Sequence, residues 1–189
     1  WMEYSSNRVT HSRINKFWLP MYMLRIRPTD WFDIRFAQTN TLSRPNYSQI
    51  LPYWYISSTS VSWRNTDLKV ARSLNNDLYF SVNQQYIGLL TLGVFTKRIE
   101  DLIFSVGKKL IIDPEEYGLS EDEKLKFISG VTMNNPYPVE MRGMEIDWQT
   151  RFWYLPGLLN GFVLNMNYTY IQSKAQYPRT EIVTTYYFE

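Results

Sequence analysis

The sequence contains no cysteine and a single histidine, His11. The first absence removes disulfide scaffolds, thiolate catalysis and cysteine-held metal together. The second removes any metal centre built on paired imidazoles, and His11 reads as a solvated loop residue. No stretch approaches the roughly 18 apolar residues of a membrane-spanning helix, so a membrane role would have to be carried by strands or be peripheral. Charge of one sign is scarce as well. Twenty basic against 18 acidic residues leave a net charge of +2, too weak a field to argue for nucleic acid as a partner. There is no glycine-rich phosphate loop and no cofactor motif. The mean hydropathy of −0.35 still permits a membrane barrel, because such strands place their apolar residues at every second position.

Aromatic residues, by contrast, are abundant. They make up 17% of the chain, with 15 Tyr, 10 Phe and 7 Trp, a composition suited to rings that meet an apolar and a wet neighbour at once. Many of them fall in segments of two-residue period. In "MEIDWQTRFWY" (144–154), Met144, Ile146, Trp148, Phe152 and Tyr154 alternate with Glu145, Asp147, Gln149 and Arg151. Similar alternation sets Tyr22, Leu24 and Ile26 opposite Met23, Arg25 and Arg27, and Phe32, Ile34 and Phe36 opposite Asp33 and Arg35. It recurs in 78–86, with Leu78, Phe80, Val82 and Tyr86, in Leu90, Leu92 and Val94, and in 162–170. These segments predict strands whose two faces meet different surroundings.

The connections are of two lengths. "RPTDW" (27–31), "QYIG" (85–88) and "YLPGLLNG" (154–161) are short turns. Long polar excursions cover roughly 42–60, 101–138 and 172–182. Within the longest, Ser120 stands three residues before Glu123 and predicts a capped helical turn ahead of Leu125 and Phe127. Short turns at one end, long loops at the other, a charged strand face and rings beside the short turns together favour an all-β, antiparallel transmembrane β-barrel with a hydrated lumen. A soluble β-sandwich that binds carbohydrate through Tyr and Trp is the rival reading. The chain opens at Trp1 without a basic leader, and reads as a piece of a longer protein.

Four segments then resemble, in order, the barrel of TonB-dependent outer-membrane receptors. "LRIRPTDWFDIRFAQTNTLSRPNYSQILP" (24–52) is similar to the family's strand, "PTDW"-type turn and return strand ending in "S-R-P-x-[YF]". "NTDLKVARSLNNDLYFSV" (65–82) resembles the "N-P-x-L-K-P-E" signature, with Thr66 in place of Pro and Val70–Ala71 in place of Pro-Glu. "IGLLTLGVFTKRIEDLI" (87–103) and "RGMEIDWQTRFWYLPGLLNGFVLNMNYTYIQSKA" (142–175) resemble its later strands. The resemblance covers most of 17–175. It implies short periplasmic turns, long extracellular loops and about eight strands of a barrel of the 22-stranded transporter type, with the plug domain and the final strands outside this chain. It further implies active import of a scarce nutrient such as a metal chelate, vitamin, glycan or peptide, with energy from the TonB complex acting through the plug. Outer-membrane lipid would be a partner, and the long loops would give a surface lipoprotein somewhere to dock. A passive, plugless barrel is the alternative within the same architecture.

Glu145 and Asp147 share a strand face with Arg151, and no nucleophile accompanies them, so an ion-pair network is expected there and no catalytic residue or cofactor is assigned. The ligand candidates lie in the expected external loops. Arg44 and Tyr47 follow the "SRP" stretch, where they either contact ligand or end the strand and fix the loop. Tyr53, Trp54 and Tyr55 either stack on a ligand or pack the loop. Tyr137 stands in "NNPYP" (134–138), a rigid loop apex with the same two readings.

Overall fold

A computed structural model describes residues 14–51, 54–105 and 109–178. In chain order its elements begin with β1 (Met21–Thr29), β2 (Phe32–Ser43), the one-turn helix α1 (Tyr47–Ile50), β3 (Trp54–Ile56), β4 (Ser60–Trp63), β5 (Ala71–Gln84) and β6 (Gly88–Glu100). There follow β7 (Ile103–Ser105), β8 (Lys109–Leu110), β9 (Phe127–Ile128), β10 (Thr132–Asn134), β11 (Val139–Arg151) and β12 (Val163–Lys174).

The six long strands form one antiparallel sheet in the order β1-β2-β5-β6-β11-β12. Their register converts the sequence alternation into rows that cross the whole sheet. Ile26, Ile34, Phe80, Leu92, Ile146 and Tyr168 form one row, a residue from each strand. Leu24, Phe36, Leu78, Val94, Met144 and Tyr170 form the next row on that face. Between them, on the opposite face, run Arg25, Arg35, Tyr79, Gly93, Glu145 and Thr169. A slip of one residue in any pair would exchange the faces of that strand, so the pattern specifies the register strongly.

The apolar rows are left open. Tyr22, Leu24, Ile26, Phe36, Leu92, Met144 and Tyr168 are all exposed, which no sandwich would tolerate, since a sandwich buries that face against a second sheet. The rival reading of a soluble β-sandwich is thereby set aside, and the single-layer wall is that of the expected barrel. Among the described residues the sheet does not close, and β1 and β12 are its edges. Six long strands lie among the described residues; about eight were expected over the full 189.

The turns fall where Pro, Gly and Asp predicted them. Asp30 and Trp31 join β1 to β2, and residues 85–87 join β5 to β6. Gly88 sits at φ +78°, and a Cβ there would meet the Gln149 carbonyl oxygen at 2.2 Å, so the turn requires glycine on two counts. The strands predicted over 78–86 and 144–154 stop earlier, at Gln84 and Arg151. Tyr86, Phe152, Trp153 and Tyr154 thus belong to turns.

At the other end the strands run farther than their alternation suggested, and the loops between them fold. The connections 44–70 and 101–138 build a four-stranded sheet, β3-β4-β9-β8, in which β4 and β9 pair in parallel. Beneath it lies the most completely buried apolar cluster described: Val61 and Ile111 at 0% exposure, with Ile128 and Val131, packed by Trp63 and Leu119. This loop domain, or cap, has a core that the wall does not.

The helical turn expected after Ser120 is present, without its side-chain cap. Residues Glu121–Glu123 form a single 3₁₀ turn in which the Ser120 side chain makes no capping bond. Leu125 lies beyond it with φ 66° and Phe127 belongs to β9. The turn goes no further because backbone pairing of Ile111 with Leu125 and Lys126 draws the chain into the cap, and a single turn gains too little to propagate.

Candidate functional site

Three features of the wall follow from its two faces. On the charged face, Asp33 is buried at the start of β2 and receives hydrogen bonds from Arg35 Nε at 2.6 Å, Arg27 Nε at 3.3 Å and Arg25 Nε. Three cations on one carboxylate leave an excess of positive charge that a dry core could not hold and a hydrated lumen can. Farther along, Asp147 accepts from Gln149 at 3.1 Å and from Asn167 at 3.4 Å, and Ser81 bonds Thr91 at 3.1 Å. A polar hollow of about 490 Å³, lined by Asn83, Gln149, Arg151 and Asn165 among others, occupies the turn end of this face.

The second feature is a pair of glycine gaps on that same face. The Tyr79 ring lies across Gly93, where a Cβ would meet Tyr79 Cε1 at 2.5 Å. Phe95 lies likewise over Gly143, where a Cβ would meet Phe95 Cζ at 2.4 Å and the Tyr170 carbonyl oxygen at 2.5 Å. Glycine on one strand admits a ring from the next, which flattens the lumenal surface. Alternation alone does not announce these pairs; glycines at polar-face positions of two strands are their one sequence signal.

The third is a ring cluster at the turn end. Tyr86 stacks on Trp153 and meets Tyr154 edge-on, both at 5.6 Å, and Phe152 stacks on Phe162 at 5.8 Å. Trp148 Nε1 donates to the Ile87 carbonyl at 2.8 Å and Trp153 Nε1 to the Gln85 carbonyl at 3.4 Å. Apolar ring bodies with satisfied polar tips are the chemistry of a membrane–water boundary. From Phe162 to Tyr170 the apolar side of β12 rises about 26 Å along the strand, or about 20 Å across the membrane at a tilt near 40°. That is close to the roughly 25 Å belt of outer-membrane barrels.

The loop-end candidates occupy separate places. Arg44 follows β2 directly and is exposed, Tyr47 opens α1 at 75% exposure, and Tyr55 is an exposed residue of β3. Tyr137 is exposed just ahead of β11. Tyr53 lies outside the described residues, as does His11, and of Trp54 only the backbone is described, paired with Trp63. No hydrogen bond or ring contact joins Arg44, Tyr47, Tyr55 and Tyr137 to one another among the described residues.

The segment around Tyr137 is a staple more than an apex. Asn134 accepts from the Lys69 backbone N–H at 2.8 Å and donates to the Lys69 and Asp101 carbonyls at 3.0 and 2.8 Å. Asn135, 1% exposed, donates to the Gln176 carbonyl at 2.7 Å and accepts from the Tyr137 N–H at 3.1 Å. Two adjacent side-chain amides thereby tie both long connections and the segment after β12 together. Sequence reasoning missed this role because Asn-Asn before Pro reads first as a turn.

A one-layer antiparallel wall with a lipid-facing apolar belt, a polar face behind it and a folded cap at its loop end defines a segment of a transmembrane β-barrel. The family described as "TonB dependent receptor-like, beta-barrel" matches residues 1–188. The chain belongs to that family, whose members are receptors and transporters of the bacterial outer membrane.

Solved structures agree on the fold. The siderophore receptor PirA from Pseudomonas aeruginosa superposes with a TM-score of 0.61 at 16% identity, over 83% of this chain and 28% of that one. PirA from Acinetobacter baumannii gives 0.58 at 18% identity, over 82% and 23%. A mutant of the ferric enterobactin receptor PfeA from Pseudomonas aeruginosa gives 0.54 at 18% identity, over 72% and 20%. The chain thus spans between a fifth and just over a quarter of the length of these receptors. Comparison with curated protein sequences yielded no match.

Proposed function

We propose that this chain is part of the wall and cap of an active importer that carries a scarce nutrient across the outer membrane with energy delivered by the TonB complex. The observation that supports this reading best is the cap. Two long connections fold over the loop end of the wall with a dry core of their own, which a passive pore has no need of and a capture surface does. A metal chelate is the favoured cargo, since the neighbours in fold are receptors for siderophores and ferric enterobactin. In this reading a plug and further strands complete the barrel, and Asp33 with its three arginines, Glu145 and Asp147 line its lumen. Arg44, Tyr47, Tyr53, Trp54, Tyr55 and Tyr137 are the residues offered to ligand, the arginine suiting an anionic chelate and the rings its flat faces. The reading does not call on a surface lipoprotein.

The test is uptake of radiolabelled iron chelates by iron-starved cells whose only receptor is the full-length protein, with and without a proton-motive force. Uptake that stops when the force is collapsed, and that falls about tenfold or more in an Arg44→Ala, Tyr47→Ala, Tyr55→Ala variant, is the expected result. Uptake indifferent to the force would make the protein a passive barrel. Transport of a glycan or peptide and of no chelate would replace the cargo.

A further inference from the structure

Beyond the apolar belt, the lipid-side face of the strands becomes polar within one step of the alternation. Val94 is succeeded on that face by Thr96, Arg98 and Glu100, Met144 by Arg142 and Glu140, and Tyr170 by Gln172 and Lys174. Leu78 gives way to Asn76, Leu74 and Arg72. The register aligns Asn76, Thr96, Arg142 and Gln172 in one row and Leu74, Arg98, Glu140 and Lys174 in the next. Together these two rows line most of a hollow of about 620 Å³.

The charges in this band are unequal. Arg72 approaches Glu100 at 3.6 Å, and Arg98 is shared between Glu100 at 3.6 Å and Glu140 at 3.8 Å. Arg142 gives both Nε and Nη2 to the neutral Gln172 Oε1, at 2.9 and 2.6 Å. Among the described residues neither Arg142 nor Lys174 has a carboxylate partner. Four cations therefore meet two carboxylates, and the two unmatched ones stand on adjacent strands at the rim of the hollow.

Position decides what these cations face. They lie outside the wall, so a ligand crossing the lumen does not meet them. They also stand at the loop side, Arg142 one row and Lys174 two rows past the row of Met144 and Tyr170, where acyl chains end and headgroups begin. A phosphate there would find a planar guanidinium already held in place by Gln172 and an ammonium beside it, in a hollow large enough for a sugar-sized headgroup.

We propose that this band is a binding site for the phosphorylated headgroup of an outer-leaflet lipid, with Arg142 and Lys174 contacting phosphate and Arg98, steadied by Glu100 and Glu140, closing the row. The proposal rests on the family's outer-membrane location and is independent of the cargo.

The test is native mass spectrometry of the full-length receptor in detergent, probed with lipid A, with the same lipid stripped of its phosphates, and with inorganic phosphate. The wild-type protein should retain lipid A at least about tenfold better than the stripped lipid, given what each cation near a charged headgroup contributes. Arg142→Gln with Lys174→Gln should abolish that preference, and Glu140→Gln should strengthen it. Heat-modifiable migration on a gel verifies that each variant is a folded barrel. If the double variant does not fold, Lys174→Gln alone, at an exposed strand end, should reduce retention severalfold. Equal retention of the two lipids, an unaffected folded variant, or displacement of lipid A by equimolar inorganic phosphate would each overturn the proposal.

Discussion

Placing an arginine at Leu92 puts the two-faced wall to its most direct test. Leu92 lies in the row Ile26, Ile34, Phe80, Leu92, Ile146 and Tyr168, with apolar rows on either side of it. The first polar position toward the loop end on that face is Thr96, about 13 Å along the strand. An arginine, with three methylenes, cannot lift its guanidinium that far, so escape to the headgroups is closed. Leu92→Arg should then cost the full mid-membrane figure of about 2–4 kcal/mol, or roughly 30- to 1,000-fold in the folding equilibrium. Val94→Arg, one row nearer Thr96, can reach the interface and should cost about 0–1 kcal/mol. Thr91→Arg points to the lumen and should cost only its hydroxyl bond to Ser81, about 0.5–1.5 kcal/mol. The assay is urea-dependent folding of the full-length receptor in lipid vesicles, followed by Trp fluorescence and gel mobility. If Leu92→Arg costs no more than Thr91→Arg, the assignment of faces is wrong.

Gly143→Val should destabilise the wall by about 1–3 kcal/mol, because the Cβ meets the fixed Tyr170 carbonyl as well as the Phe95 ring; an unchanged urea midpoint would refute the close approach. Asp33→Ala leaves Arg25, Arg27 and Arg35 facing one another, so its stability deficit should be largest in low salt and shrink as salt screens them; a deficit independent of ionic strength would contradict the network. Asn134→Ala removes the shared staple, at about 1–3 kcal/mol for the orphaned backbone groups, and should open residues 64–70 and 101–105 to protease added outside intact cells. Val61→Asp should expose the cap to protease while the wall keeps its heat-modifiable mobility; loss of both would mean that the two cores are one.

The half of the wall that crosses lipid was legible in the sequence, because there alone do the two faces of each strand meet different solvents. Tyr22 to Ile26, Leu78 to Val82 and Ile146 to Trp148 announce themselves by alternation. Nearer the loops both faces are wet. Asn75 and Lys97 point one way, Asn76 and Thr96 the other, and no period distinguishes such a strand from a polar loop. The same reason explains why β2 and β5 extend past their apparent ends. The cap was hidden for a different cause. Val61, Ile111, Ile128 and Val131 come from short segments far apart in the chain, and each contributes too few residues to show a period. Of the candidate site, the sequence offered Arg44, Tyr47, Tyr55 and Tyr137 only as residue types that suit a ligand, and the amide pair at Asn134 and Asn135 needed the fold to be seen.

The parallel pairing of β4 with β9 has a consequence for how such a receptor can change. One strand of the pair comes from each long connection, and the cluster around Val61 draws on both. Recombination that exchanges a single loop would therefore split a hydrophobic core in two, whereas exchange of both loops together would carry it intact. Selection for a new cargo is expected to move the two connections as one heritable block, and libraries built to redirect the receptor should shuffle them in pairs.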